Sequence, residues 1–163
     1  MAEFSFDITS EVDLQLVDNA LNTTSKEISN RYDFRGSNAK IVREENNILI
    51  NAEDDYKLRA IADMFRAKAT KQGIQLQFFD FETKQEEALG GALKQQVPIK
   101  QGIDKEKAKE INEYIRSLKL KANSQIQDNK IRVSGKNKDD LQAAMQAIRG
   151  KDFGIALQFG NYR

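Results

Sequence analysis

The sequence predicts two tandem ferredoxin-like domains, an α+β fold of antiparallel sheets with the first strands exchanged between domains. Three observations predict it. The chain repeats itself: Gly73–Phe81 (GIQLQFFDF) reappears as Gly154–Tyr162 (GIALQFGNY), Leu58–Lys68 (LRAIADMFRAK) as Leu141–Lys151 (LQAAMQAIRGK), and Asn47–Asn51 as Lys130–Ser134. The front of each copy matches too, Phe6-Asp7-Ile8 and Val12-Asp13 against Val97-Pro98-Ile99 and Ile103-Asp104, and the offsets of all the matches run from 81 to 91 residues. Two copies are too few for a solenoid, so a pair of small α/β units is the reading. Second, each copy reads β-α-β-β-α-β, the split βαβ pattern of a sandwich with both helices on one sheet face. Third, about ten hydrophilic residues join the last strand of the first copy to the first strand of the second. A return that short is hairpin-like and puts residues 92–101 in the slot of the first copy's own first strand. The N-terminal strand is thereby displaced into the second sheet. The domains then run over residues 10–101, and over 1–9 with 102–163.

The elements follow in order. Phe4, Phe6 and Ile8 alternate with Ser5 and Asp7, a strand. Ser10 is placed to cap the next helix, with Asp13 closing a capping-box-like pair. Leu16, Val17, Ala20, Leu21, Thr24 and Ile28 recur at helical spacing to about Arg31. After a polar-aromatic turn, residues 39–44 and 47–53 form a hairpin around Glu45-Asn46-Asn47. A helix spans about 55–71 and Gly73 stops it. Residues 74–81 read as a strand, with Ile74, Leu76 and Phe78 toward the helices and Phe79 and Phe81 on the open face. The second copy gives a strand at 92–101, a helix at 104–117, a hairpin of 121–127 and 130–135 around Asp128-Asn129, a helix at 138–149 and a strand at 155–161. Pro98 interrupts the pattern, since proline cannot donate to a ladder, and predicts a bulge or register break.

Composition narrows the chemistry. The 163 residues contain no Cys, His or Trp. Disulfides, thiolate zinc sites, cysteine nucleophiles and imidazole catalysis are excluded. No Walker A loop, G-x-G-x-x-G or G-x-S-x-G occurs. Asp54-Asp55 and Asp139-Asp140 stand at helix starts, where carboxylates offset the macrodipole, and read as caps rather than metal ligands. The first residues lack a basic region and an apolar run, and no stretch has the length of a membrane span, so a cytoplasmic protein is expected. Residues 1–90 hold 11 Lys/Arg against 17 Asp/Glu, and 91–163 hold 15 against 8. That split suits a polyanion-facing second half or mutual attraction of the halves. Under strand exchange most of it disappears, to −2 for residues 10–101 and +3 for the rest.

Several segments together resemble one family. They are Ser5–Asp13 (SFDITSEVD), Arg31–Gly36 (RYDFRG), Gln101–Asp104 (QGID), Ser117–Lys121 (SLKLK), Arg132–Lys136 (RVSGK), Asp139–Ala143 (DDLQA) and Leu157–Phe159 (LQF). They resemble the YajQ family of bacterial proteins, over nearly the whole chain. The resemblance implies paired ferredoxin-like (RNP-like) domains with exchanged N-terminal strands. It also implies nucleotide binding, in some members of cyclic di-GMP, a regulatory role and no enzymatic activity. It supplies no ligand motif to carry over, so candidate residues come from their own chemistry.

Three groups stand out. Arg31, Asp33, Phe34 and Arg35 combine guanidinium, carboxylate and ring, the parts that hold a guanine dinucleotide. The rival reading is a structural corner with Phe34 as core plug and local Arg–Asp pairing. The open sheet faces offer Phe79, Phe81, Tyr162, Arg132 and Lys121 for base stacking and phosphate contact, unless those faces pack on a partner. Lys136-Asn137-Lys138 precedes the last helix beside Gly135, an anion site or an ordinary capped loop. The third strands carry no aromatic, which speaks against standard single-stranded RNA stacking. The leading expectation is a non-catalytic nucleotide-binding protein with no bound cofactor, its ligand cyclic di-GMP or another purine nucleotide. RNA or tRNA binding by the basic second half and a structural adaptor are the alternatives. A transcription regulator is a candidate partner and a membrane is not.

Overall fold

The computed structural model describes residues 3–163. The chain divides into a continuous unit, Val12–Lys100, and a split unit, Met1–Glu11 with Gln101–Arg163.

In the continuous unit, α1 (Leu14–Asn30) and α2 (Asp55–Lys71) pack on a sheet of β2 (Lys40–Glu44), β3 (Asn47–Ala52), β4 (Glu86–Glu87) and β5 (Leu93–Pro98). The order is β2-β3-β5-β4, antiparallel throughout. In the split unit, α3 (Lys105–Ser117) and α4 (Lys138–Arg149) pack on β1 (Phe4–Thr9), β6 (Asn123–Gln127), β7 (Lys130–Gly135) and β8 (Gln158–Gly160), in the order β6-β7-β1-β8. These are two ferredoxin-like sandwiches with exchanged first strands. β5 occupies in one sheet the place that β1 occupies in the other: Val97 pairs with Ile48, and Ile8 with Ile131.

Burial follows period. On α1, Val17, Ala20, Leu21, Thr24 and Ile28 form the buried stripe; on α4, Leu141, Ala144 and Ile148 do. Phe6, Ile8, Ile131 and Val133 meet Ile111, Ile115, Leu141 and Ile148 in the core of the split unit. Ser5, Asp7 and Thr9, and Lys130, Arg132 and Ser134, alternate onto the other sheet face.

Four expectations are corrected. The α1 cap is Asp13, whose carboxylate accepts from the Gln15 N–H at 2.9 Å. Ser10 is buried, and its carbonyl accepts from Gly102 N–H instead. Residues 74–81 are not a strand: Leu76–Phe78 is a 3₁₀ turn. Phe78 and Phe79 are both buried, and adjacent residues cannot both point to one face of a strand. The edge of that sheet is made instead by β4 and a single bridge from Phe79 to Ile99. Phe79 and Phe81 accordingly lie on the helix side, not the open face; Phe79 meets Phe65 of α2 edge-on at 5.1 Å. Pro98 makes no bulge, because it is the last residue of β5 and the register from Asn47–Pro98 to Ala52–Leu93 is continuous.

Candidate ligand groove

The Arg31–Arg35 corner is largely self-satisfied. Arg31 donates to both carboxylate oxygens of Asp33, at 3.0 and 2.8 Å. That hydrogen bond, ahead of its charge, holds the Asp33 carboxyl below the usual range. Phe34 is buried beneath the Arg31 guanidinium, 5.3 Å from its ring centroid. Arg35 lies over the exposed Tyr32 ring at 5.5 Å. Of the two arginines here, only Arg35 lacks a carboxylate partner among the described residues.

Arg132 sits on the open face of the split-unit sheet and is bound to Asp7 across the β1–β7 pair, Nε to Oδ1 at 3.0 Å. Lys121 and Lys136 line one hollow of about 270 Å³ with Glu3, Asn123, Gly135 and Asn137. Gly135 is needed there, because a Cβ would meet the Lys121 carbonyl oxygen at 2.8 Å.

A larger groove runs between β1 and α4 of the split unit, with a volume of about 440 Å³. That lies in the range of small-molecule sites. Its floor is Phe4, Phe6 and Leu141; Gln142, Met145, Gln146 and Arg149 project from α4; Lys138 stands at the helix start. Tyr162, 62% exposed, and Arg163 close one side. The backbone of Arg163 pairs with Ser5, which fixes that wall to β1. Lys138 and Arg149 lie over aromatic rings, Phe4 at 5.3 Å and Phe159 at 4.9 Å. Among the described residues neither Lys138 nor Arg149 forms an ion pair, so these two cations lie beside the groove without a carboxylate partner.

Of the sequence candidates, only Tyr162 belongs to this groove. Phe4, Gln142, Gln146 and Arg149 were not among the sequence candidates, and Lys138 was noted only as a loop cation. The signal was in the repeat. Residues 83 apart correspond on α2 and α4, and there Lys138 replaces Asp55, Gln142 replaces Arg59 and Gln146 replaces Asp63, while Arg66 and Arg149 match. One copy of the helix face is charge-balanced and the other is purely cationic.

Tandem ferredoxin-like units, one of them with an open groove of rings and cations, place the chain among small two-domain proteins that present a binding surface. A family model described as "Nucleotide-binding protein YajQ-like" matches residues 4–163, and the chain belongs to that family. It is 50% identical to a nucleotide-binding protein of Geotalea uraniireducens (strain Rf4) over 159 residues, 98% of each chain. It is 51% identical to one of Carboxydothermus hydrogenoformans over 164 residues, 99% of each chain. A third, from Elusimicrobium minutum, is 46% identical over the full length of both. No described helix is long and apolar enough to cross a membrane.

Proposed function

We propose that this protein binds a nucleotide without turning it over, as a cytoplasmic regulatory effector whose specific ligand is a guanine dinucleotide of the cyclic di-GMP kind. The observation that carries the reading is the groove between β1 and α4, where Lys138 and Arg149 have no carboxylate partner among the described residues and lie beside Phe4 and Tyr162. Unpaired cations suit phosphate, and aromatic rings suit a base. The names of the relatives support the ligand class, and the absence of His and Cys from the sequence supports binding without turnover. Ligand binding would change the surface offered by α4, and so act on a further protein such as a transcription regulator. The open sheet faces favour RNA less: their middle strands present Asn47, Leu49 and Asn51, and Lys130, Arg132 and Ser134, with no ring among them.

Calorimetry of the full chain with ATP, GTP, GMP, cyclic di-GMP and total tRNA, at two salt concentrations, tests it. Cyclic di-GMP is expected to bind most tightly, with a shallow salt dependence and no degradation on chromatography. Steeply salt-dependent binding of tRNA alone would replace this reading with an RNA-binding one, because many counterions are then released.

A further inference from the structure

The pairing that carries Tyr162 is broken by one residue. β8 pairs with β1 as Thr9–Gln158, Ile8–Phe159 and Asp7–Gly160. An unbroken ladder would next set Tyr162 opposite Ser5, on the open sheet face with Ser5 and Asp7. Ser5 pairs with Arg163 instead. Its N–H donates to the Arg163 carbonyl at 3.2 Å, and its carbonyl accepts from the Arg163 N–H at 3.0 Å. Asn161 and Tyr162 therefore stand together opposite Phe6, which makes a β-bulge. Asn161 has φ +53, in the left-handed region, and asparagine is among the few non-glycine residues that enter it readily. The bulge exchanges the two side chains between faces. The Asn161 amide donates to Asp7 Oδ2 at 2.8 Å, on the open face. Tyr162 turns the other way, and its hydroxyl comes within 3.9 Å of Sδ of Met145 on α4.

The first copy of the repeat has a different arrangement. Asp80 aligns with Asn161 and Phe81 with Tyr162, yet Asp80 is not left-handed. Its carboxylate accepts from the Glu82 N–H at 3.0 Å, and the Phe81 ring lies under the Arg66 guanidinium at 4.2 Å. A strap, residues 81–87, follows, held by the Gln95 amide on the carbonyls of Phe81 and Thr83 at 3.0 and 2.9 Å. In the split unit the place under the matching cation is filled by Phe159, 4.9 Å from Arg149. Lys138 lies over Phe4, and Phe6 is buried. Tyr162 is the exposed ring of the groove.

We propose that the bulge at Asn161 makes Tyr162 the platform on which the ligand's base stacks, and that Asn161 is the positioning residue that aims it. This rests on the reading that the ligand is a nucleotide. Bulges re-aim side chains beside binding sites, and this one moves a ring from the open sheet face to the groove wall. An exposed aromatic face stacks on any base, and contributes most where the ring is held in place before the ligand arrives. The Arg163–Ser5 pair on one side of Tyr162 and the Asn161–Asp7 contact on the other hold the backbone that carries it. Lys138 and Arg149 lie on rings of the chain itself, and their charge is left for phosphate.

The test is calorimetry of the full chain with cyclic di-GMP, GMP and ribose 5-phosphate, on the natural protein, Tyr162→Ala, Asn161→Val, Asn161→Gly and the double variant Asn161→Val/Tyr162→Ala. Both positions are exposed, so melts are expected to show every variant folded. The natural protein should bind the tighter nucleotide at least about tenfold better than ribose 5-phosphate, which lacks a base. Tyr162→Ala should weaken that nucleotide by about tenfold and leave ribose 5-phosphate unchanged. Asn161→Val, a β-branched residue that resists the left-handed region, should do the same through Tyr162. Asn161→Gly enters that region freely and should stay within about threefold of the natural protein. The double variant should lose no more than Tyr162→Ala alone, because the two residues act as a unit. If the natural protein binds a nucleotide and Tyr162→Ala binds it as well, or if ribose 5-phosphate binds as tightly, the platform is overturned and the nucleotide reading stands. If Asn161→Val has no effect, if Asn161→Gly loses as much, or if the losses add in the double variant, the positioning role is overturned. Binding of neither nucleotide by the natural protein overturns both the inference and the reading beneath it.

Discussion

Asp7 lies on the open side of its sheet yet is only 4% exposed, because Arg132, Lys130 and Asn161 close around it. The hydrogen bond from Arg132 is the chief reason its carboxyl is held below the usual aspartate range; Asn161 and the two nearby cations act the same way, and burial opposes them. A depressed folded value makes the carboxylate stabilising above the unfolded pKa, and that contribution is lost as pH falls through the ordinary aspartate range to the lower folded value. Asp7→Asn is expected to cost about 1.5–3 kcal/mol near neutrality. The cost should shrink at pH ~3, below the ordinary aspartate value, where the unfolded chain takes up a proton that the folded carboxylate resists. Denaturant melts of both proteins at the two pH values check this, and a pH-independent cost would contradict it. Phe34 gives a second expectation. As a buried plug its truncation to Ala should cost about 3–5 kcal/mol, while Arg35→Ala, an exposed side chain over an exposed ring, should leave the melt in place. The sequence showed the chemistry of this corner but not its outcome. Arg31 and Asp33 are two residues apart, close enough to satisfy each other, and whether such a pair turns inward or to a ligand depends on the backbone of one short 3₁₀ turn.

Helices were legible because their apolar stripes run for three or more turns; α4 begins and ends where its pattern does. The edge strand beside β5 was not. Ile74, Leu76 and Phe78 alternate as a strand would, but Phe79 is also apolar, and its burial against Phe65 decides the local fold. The true edge, Glu86–Glu87, carries no apolar signal at all. What holds that edge is a polar contact, the Gln95 amide on the carbonyls of Phe81 and Thr83. The groove was hidden for a related reason: Gln142, Gln146 and Arg149 lie on the solvent side of α4, where periodicity says only that they are polar. Gln95→Leu is expected to remove the strap's anchor and cost about 1–3 kcal/mol, the penalty for leaving buried polar groups unpaired. Amide exchange should quicken in residues 81–87 and not in α4. Unchanged exchange in 81–87 would show that the strap is held by β4 alone.

At the scale of the molecule, the exchange of first strands is the feature with the widest consequences, and a single loop length exposed it. The stretch between Phe81 and Leu93 folds back on itself, so β5 pairs with β4 on one side and β3 on the other. β3 therefore depends on a strand that follows the first repeat in sequence, and the sequence repeat is not the folding unit. Val97 of β5 and Ile99 just after it are buried in the continuous unit, and Gln95 of β5 holds the carbonyls of Phe81 and Thr83. We expect the folding domain to be residues 10–101. A fragment of residues 1–90 keeps the whole first repeat but lacks β5; its β3 is left with an open edge and its core without Val97 and Ile99. It should unfold without a sharp transition and with a low denaturant slope, as a chain that buries little surface does. A fragment of residues 10–101 discards β1 and gains β5, and should unfold cooperatively with one midpoint by both circular dichroism and fluorescence of its tyrosines. Equal cooperativity in the two fragments would mean that β1 can take the place of β5 beside β3, and that the exchange is a preference of the full chain rather than a requirement of its parts.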